Sequence, residues 1–287
     1  MNLFRAEWQK ITGNRWVAAS LIWIFPAGAA FFMIAAVVIA LLSEDFQRAQ
    51  MQLGIVPWNE TLVNAWTIVN NELGRWMIVA FSAFIFAGEY QHGTWKNLTT
   101  RRTRTRLILN KFLTLGVFVV FATVLMTVIL GIGTGVVASI IDLDYGLSTF
   151  GDAFGPFVED YFTQMFIILT IVLIGASYAA LAAMLTKSVF ASAIVGVLVT
   201  VAENGILLPI LLARSFLGWD LMFLYFLTPS FNMANIGTWL NTNRPYMPFG
   251  DDMMAYSLER SVIVVGVWVV ALIILTVYLF RRQDIST

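Results

Sequence analysis

Cysteine is absent from this 287-residue chain, and histidine occurs once, as His92. The first absence removes disulfides, thiolate metal sites and a cysteine nucleophile together, and the second leaves metal chemistry with few ligands. Charge is also scarce: only 12% of residues are Asp, Glu, Lys or Arg, against about 25% in ordinary soluble domains. The two signs cancel to a formal net charge of zero, so no global field attracts nucleic acid or an acidic partner, and no nucleic-acid partner is expected; any electrostatic message lies in how the charges are distributed. Neither G-x-x-x-x-G-K-[ST] nor H-E-x-x-H occurs; the chain therefore carries no P-loop and no zincin motif. Without a linker, a low-complexity tract or an internal repeat, a single domain over residues 1–287 is expected.

What the chain has in abundance is apolar residues, 59% of the total, with a mean hydropathy of +0.81. This composition is that of an integral membrane protein, and the expected fold class is all-α. A bilayer core of about 30 Å needs about 20 apolar residues of helix. Five runs meet that length: Trp16 to Leu42, Leu107 to Ile141, Tyr161 to Thr186, Val189 to Leu212 and Ser261 to Phe280. A sixth, Trp76 to Gly88, is too short alone and spans only if it starts further back, towards Leu62, taking in Asn70, Asn71, Glu72 and Arg75.

Charge distribution supports that extension. The cations cluster in the N-terminal segment (Arg5, Lys10, Arg15), between Lys96 and Lys111, at Lys187 and at Arg281 and Arg282. These lie on one side of the membrane only if the short run crosses, so the positive-inside rule predicts six spans with both termini in the cytoplasm. Asp142, Asp144, Asp152, Glu159, Asp160, Asp251 and Asp252 then fall outside. The first span is too long for a signal-peptide core and reads as an uncleaved signal anchor. Ahead of it, residues 1–15 place Phe4, Trp8 and Ile11 on one helical face, the pattern of an interfacial helix; an unstructured basic leader is the alternative. Residues 213–260 hold an apolar stretch interrupted by Pro229, which predicts a re-entrant or interfacial helix pair on the outer face.

The segment from Phe86 to Phe112, FAGEYQHGTWKNLTTRRTRTRLILNKF, ends one apolar run and starts another, with six cations from Lys96 to Lys111. Its pattern, Glu89-x-x-x-Gly93-Thr94-x-x-x-Leu98, then Thr103-Arg104 and Lys111, resembles the signature after the second span of type-2 ABC exporter permeases. The whole chain is similar to that family's plan of an N-terminal elbow helix, six spans, a loop between spans two and three and outer-face helices between spans five and six. One departure is Arg102, standing where the family usually has proline ahead of Ser-Arg.

The resemblance implies that residues 89–111 form a cytoplasmic coupling helix docking on an ABC ATPase subunit. Gly93 then allows close backbone approach, Thr94 makes a specific contact beside it, Trp95 and Leu98 anchor in an apolar groove, and Arg101, Arg102, Arg104 and Arg106 face carboxylates. Without docking, the same cations hold the topology and touch anionic lipid. The resemblance further implies that ATP and Mg are bound by the partner subunit, with no cofactor in this chain. It implies a dimer with a second copy or a homologous permease, in the plasma membrane of a prokaryote. Gly131, Gly133 and Gly135, and Gly175, Ala176, Ser177, Ala179 and Ala180, supply small residues for helix contacts within or between subunits.

Glu203 is the ionisable residue deepest in a clear span. With Asn204 beside it and Pro209 beyond, it reads either as part of the transport path, near a point where the helix unwinds, or as a hydrogen-bonded structural carboxylate. Glu72 and Arg75, three apart, are placed to pair at the outer end of span two. Competing classes are an ion channel, a membrane scaffold and a membrane-embedded enzyme; for the last, Lys187 and Ser188 offer only a poor dyad because adjacent helical positions do not face each other. Aromatics in the outer segment, Trp219, Phe223, Tyr225 and Phe226, suit an amphiphilic substrate.

Overall fold

A computed structural model describes residues 3–54, 56–100, 102–247 and 255–283, and is all-α: no strand occurs among the described residues. Arg101, Asp251 and Asp252 lie outside the described residues. Among the described residues four helices are long and apolar enough to cross a bilayer. They are α3 (Ile24–Leu42), α8 (Arg104–Ile140), α9 (Phe150–Thr186) with its short leading turn, and α14 (Leu258–Arg282). The pair α10 (Val189–Gly205) and α11 (Leu207–Leu217), bent by 50°, makes a fifth if it is one span. The other helices are α1 (Leu3–Gly13), α2 (Arg15–Ala18), α4 (Glu44–Leu53), α5 (Trp58–Asn70), α6 (Glu72–Gln91), α7 (Trp95–Thr99), α12 (Met222–Phe226) and α13 (Pro229–Thr242).

Helix ends follow local chemistry. Ser43, Ser188, Thr228 and Ser257 each accept a backbone N–H three residues on, capping α4, α10, α13 and α14. Pro229 follows its cap at the first helical position, where its missing N–H costs nothing. Between α2 and α3 the chain makes a π-helical turn, Ala19–Trp23. Pro26, which has no N–H to give, then sits in the first turn of α3.

One sequence expectation is corrected here. The short second run does not extend back to Leu62 as one helix. Asn71 is extended, with ψ 164°, and its side chain accepts from Gly74 N at 2.8 Å, so α5 ends and α6 begins afresh at Glu72. At 20 residues α6 is nonetheless about 30 Å long. Asp142 and Asp144 precede the next helix, while Asp152, Glu159 and Asp160 lie within it: α9 runs for 37 residues from Phe150, with Asp152 favourably placed in its first turn.

The chain packs as two compact units, Met1–Arg75 with Phe112–Leu169, and Trp76–Lys111 with Thr170–Thr287; α6, α8 and α9 each contribute to both. In the first unit Trp8 of α1 stacks on Phe118 of α8 at 4.5 Å between ring centroids, and Ile11 is buried. The apolar face expected at the membrane interface therefore covers part of the bundle, while Arg5 and Lys10 stay exposed. Gly133 serves contact within the chain, since a Cβ there would collide with Met33 of α3. Trp58 packs between Phe150 and Phe157, and Trp66 meets Tyr161 edge-on, fixing α5 against the start of α9.

In the second unit Val79 and Ala83 of α6 form a buried cluster with Ala179 of α9, and Ala193 and Val197 of α10 pack on it. Beyond the bend, Ile210, Tyr225 and Phe231 gather Phe226, Tyr246 and Tyr256 into an aromatic core between α11, α12 and α13. Two helices, α12 and α13, thus lie between the last two runs and meet at Thr228 and Pro229. Of the four aromatics Trp219, Phe223, Tyr225 and Phe226, the first two are exposed, while Tyr225 and Phe226 pack inward.

Candidate functional site

The spacing Glu89-x-x-x-Gly93-Thr94 has a geometric explanation. Thr94 N donates to Glu89 O at 3.1 Å and Gly93 N to Tyr90 O at 3.2 Å, the paired bonds of a Schellman stop, with Gly93 left-handed at φ +61°. Glycine is needed there for its backbone. Side chains reinforce the stop, since the Thr94 hydroxyl donates to the Glu89 carboxylate. The other carboxylate oxygen meets Lys111 Nζ at 2.9 Å, and that ammonium also donates to Ile85 O at 3.0 Å. Lys111 is 0% exposed and Glu89 2%. A pair this deep is maintained only because each charge is matched and hydrogen-bonded; losing either partner strands the other.

Trp95 roofs the pair. Its ring lies 5.3 Å from Lys111 Nζ, 4.4 Å from the Phe280 centroid and 5.7 Å from that of Tyr90. It was expected to reach into a partner's groove, yet it is 2% exposed and packs inside its own chain. Arg104 is also engaged internally: one guanidinium nitrogen donates to the carbonyls of Phe280, Arg281 and Gln283 at 3.1, 2.8 and 2.7 Å. These are end-of-helix carbonyls without intrahelical donors, and a cation there also suits the α14 dipole. Tyr90 donates to Gln283 Oε1, and Gln283 Nε2 donates to Met184 O at 3.0 Å. The segment is thus fastened to the ends of α9 and α14. Lys96, Arg102 and Arg106 are exposed, and among the described residues none of them forms an ion pair. Leu98 is half-buried.

Glu203 stands two residues before the α10–α11 bend. One carboxylate oxygen accepts Ser230 N and Ser230 Oγ, each at 2.7 Å; the other accepts Tyr178 Oη at 2.8 Å. Asn204 Oδ1 lies 2.6 Å from the same Ser230 hydroxyl. Ser230 is the second residue of α13, so the carboxylate occupies a helix N-terminus, where backbone N–H groups and the dipole favour negative charge. Glu72 is exposed, and Arg75 Nε donates to Asn70 Oδ1 at 2.8 Å across the α5–α6 break.

A model of the ABC-2 family transporter proteins matches residues 3–217, three quarters of the chain. The chain belongs to that family. No curated protein matches it. As an ABC-2 permease it is the multi-pass membrane subunit of an ABC transporter, itself without catalytic function, and the family implies partnership with an ABC ATPase subunit. Within this permease the fold brings Glu89, Gly93, Thr94, Trp95 and Lys111 together and joins Arg104 to the same assembly. The residues that brace them, Tyr90, Phe280 and Gln283, carry no sequence signal of their own. Tyr178 and Ser230, which hold Glu203, were equally silent. Asn235 was missed too: it is buried, donates to Tyr256 O and Ser261 Oγ, and accepts Tyr246 N at 2.7 Å.

Proposed function

We propose that this permease is the membrane half of an exporter, a single permease domain working as a dimer. Power comes from a separate ATPase that binds the ATP and Mg. Residues 89–111 are the docking element, α7 the coupling helix and α1 the elbow. With α6 counted beside the five apolar crossings there are six spans, which puts both termini and α7 on the cytoplasmic side of a prokaryotic plasma membrane.

One observation carries the reading. A short helix is held by a buried Glu–Lys pair while Lys96, Arg102 and Arg106 around it are exposed and, among the described residues, form no ion pair. Rigid presentation of unpaired cations lowers the ordering cost of binding an acidic surface. The contact falls to the exposed cations and Leu98, while Trp95, Arg104 and Lys111 support them from within.

Replacing Arg102 and Arg106 by lysine keeps both charges but removes the planar forks suited to carboxylates. Normal membrane levels are expected, with ATPase co-purification reduced several-fold. Gly93→Asn gives an independent reading: asparagine tolerates the left-handed backbone, and nothing lies within 4 Å of the added Cβ. The permease therefore folds, but a partner approaching that face is obstructed. Full ATPase association and full transport in both variants would reduce the segment to a topology anchor.

A further inference from the structure

Between the start of α8 and the end of α14 lies an open cavity of about 650 Å³, a size within the range of sites that take drug-sized ligands, about 300–1,000 Å³. Leu109 of α8 and Ile273, Ile274 and Val277 of α14 supply apolar walls, and Leu109 and Ile274 are well exposed. At the helix end the character changes abruptly. Thr105 offers a hydroxyl, and Arg281 and Arg282 close the lining with two cations. Among the described residues neither arginine pairs with a carboxylate. Arg282 is held in place over the Tyr278 ring at 4.6 Å from its centroid, within the range of a cation–π contact.

We infer that this groove binds one anionic phospholipid, its phosphate on Arg281 and Arg282 and an acyl chain along Leu109 and Ile274. From Ile274 to Arg281 is about 10 Å along the helix, enough to separate a headgroup from the first carbons of a chain. A protein segment fits less well, because the apolar walls belong to helices that are themselves apolar enough to cross the bilayer, and the cations sit where α14 leaves it. The position on the cytoplasmic leaflet, where anionic lipid is concentrated, rests on the six-span reading. The lipid chemistry rests on the groove alone. Arg104, bonded to the Arg281 and Gln283 carbonyls, adjoins the same helix end, so an occupied groove lies next to the proposed docking element.

The test uses the full-length permease in detergent, with native mass spectrometry counting retained phosphatidylglycerol and phosphatidylcholine at equal supply. Wild type is expected to retain phosphatidylglycerol selectively. A basic residue near an anionic surface contributes roughly a factor of five, so Arg281→Gln with Arg282→Gln should weaken retention about twenty-fivefold. Leu109→Trp, which fills the apolar half at an exposed position without changing charge, should also abolish it. Inorganic phosphate at millimolar concentration should not displace the lipid.

Equal retention of both lipids overturns the proposal, as does wild-type retention in the double arginine variant. Loss in the charge variant but not in Leu109→Trp would reduce the effect to general surface attraction. Displacement by inorganic phosphate would mean a free-anion site, and groove burial in a dimer that excludes lipid would mean a second copy is the occupant. Either result refutes the lipid. ATPase association is not read here, so a negative result leaves the transporter reading untouched.

Discussion

Lys111 shows how one residue's meaning depends on its surroundings. As one of six cations in a short stretch it looks like a topology signal, but its ammonium is fully buried against Glu89 and the Ile85 carbonyl. Removing one member of a buried pair costs about 3–5 kcal/mol, whereas replacing both by apolar residues is often neutral. Lys111→Met is therefore expected to lower the thermal midpoint of the purified permease sharply. Glu89→Leu combined with Lys111→Met should recover most of it; additive losses would show that the two do not act as a pair. Glu203 is the second case. Three donors converge on its carboxylate, and Glu203→Gln turns an amide NH₂ towards at least one of them. Hydrogen bonds to charged groups contribute about 1.5–3 kcal/mol, so this variant should loosen α13 and melt earlier, with transport falling in parallel. Unchanged melting with altered transport would instead place Glu203 on the path.

At the scale of elements, α7 interests us less for its five residues than for what it is tied to. Trp95 packs on Phe280, Arg104 caps the end of α14, and Gln283 joins Tyr90 to the last turn of α9. A push on α7 therefore reaches two long helices through short, directional contacts. Arg104→Lys keeps the charge but cannot reproduce the same reach to three carbonyls with a planar head. The expected outcome is ATPase association near wild type with transport several-fold lower, measured side by side in vesicles. Loss of association in step with transport would return Arg104 to the docking surface. The bend between α10 and α11 was legible in outline, because Glu203 and Asn204 interrupt an apolar run and Pro209 follows them. The α5–α6 break was not, since Asn70 and Asn71 read equally well as polar residues tolerated inside one span. Only the Asn71 cap on Gly74 distinguishes the two.

For the whole molecule the open quantity is the number of crossings. Helices α8 and α9, at 37 residues, are each about 55 Å long, exceeding the about 40–45 Å of a bilayer with its headgroups. Standing upright in a bilayer they project into water, and exposed charges lie at the ends that do so: Arg106 at the start of α8, Asp152, Glu159 and Asp160 at the start of α9. Because α6 carries Glu72, Arg75 and Glu89 and is free of charge only from Trp76 to Gly88, its crossing is proposed from charge parity. A reporter inserted after Gly146 should read as external and one after Arg282 as cytoplasmic. The opposite result at either point would remove α6 from the membrane-crossing set or invert the protein.

Membrane class, family resemblance and most helix ends were determined by the sequence alone, because each depends on neighbours a few residues away. A run of apolar side chains partitions into lipid whatever it packs against, and a serine or asparagine caps the N–H three positions on. The Glu89-to-Lys111 pattern belongs partly to this class, since the Schellman stop at Gly93 is local. Which members of that pattern face outward was decided only by tertiary structure. Arg104 meets Phe280 across 176 residues and Glu203 meets Ser230 across 27. Burial of Trp95 and Lys111 likewise requires α14 and α6 to close over them. A charge in sequence carries no label for solvent or core; the neighbours that desolvate it and supply its hydrogen bonds come from elsewhere in the chain.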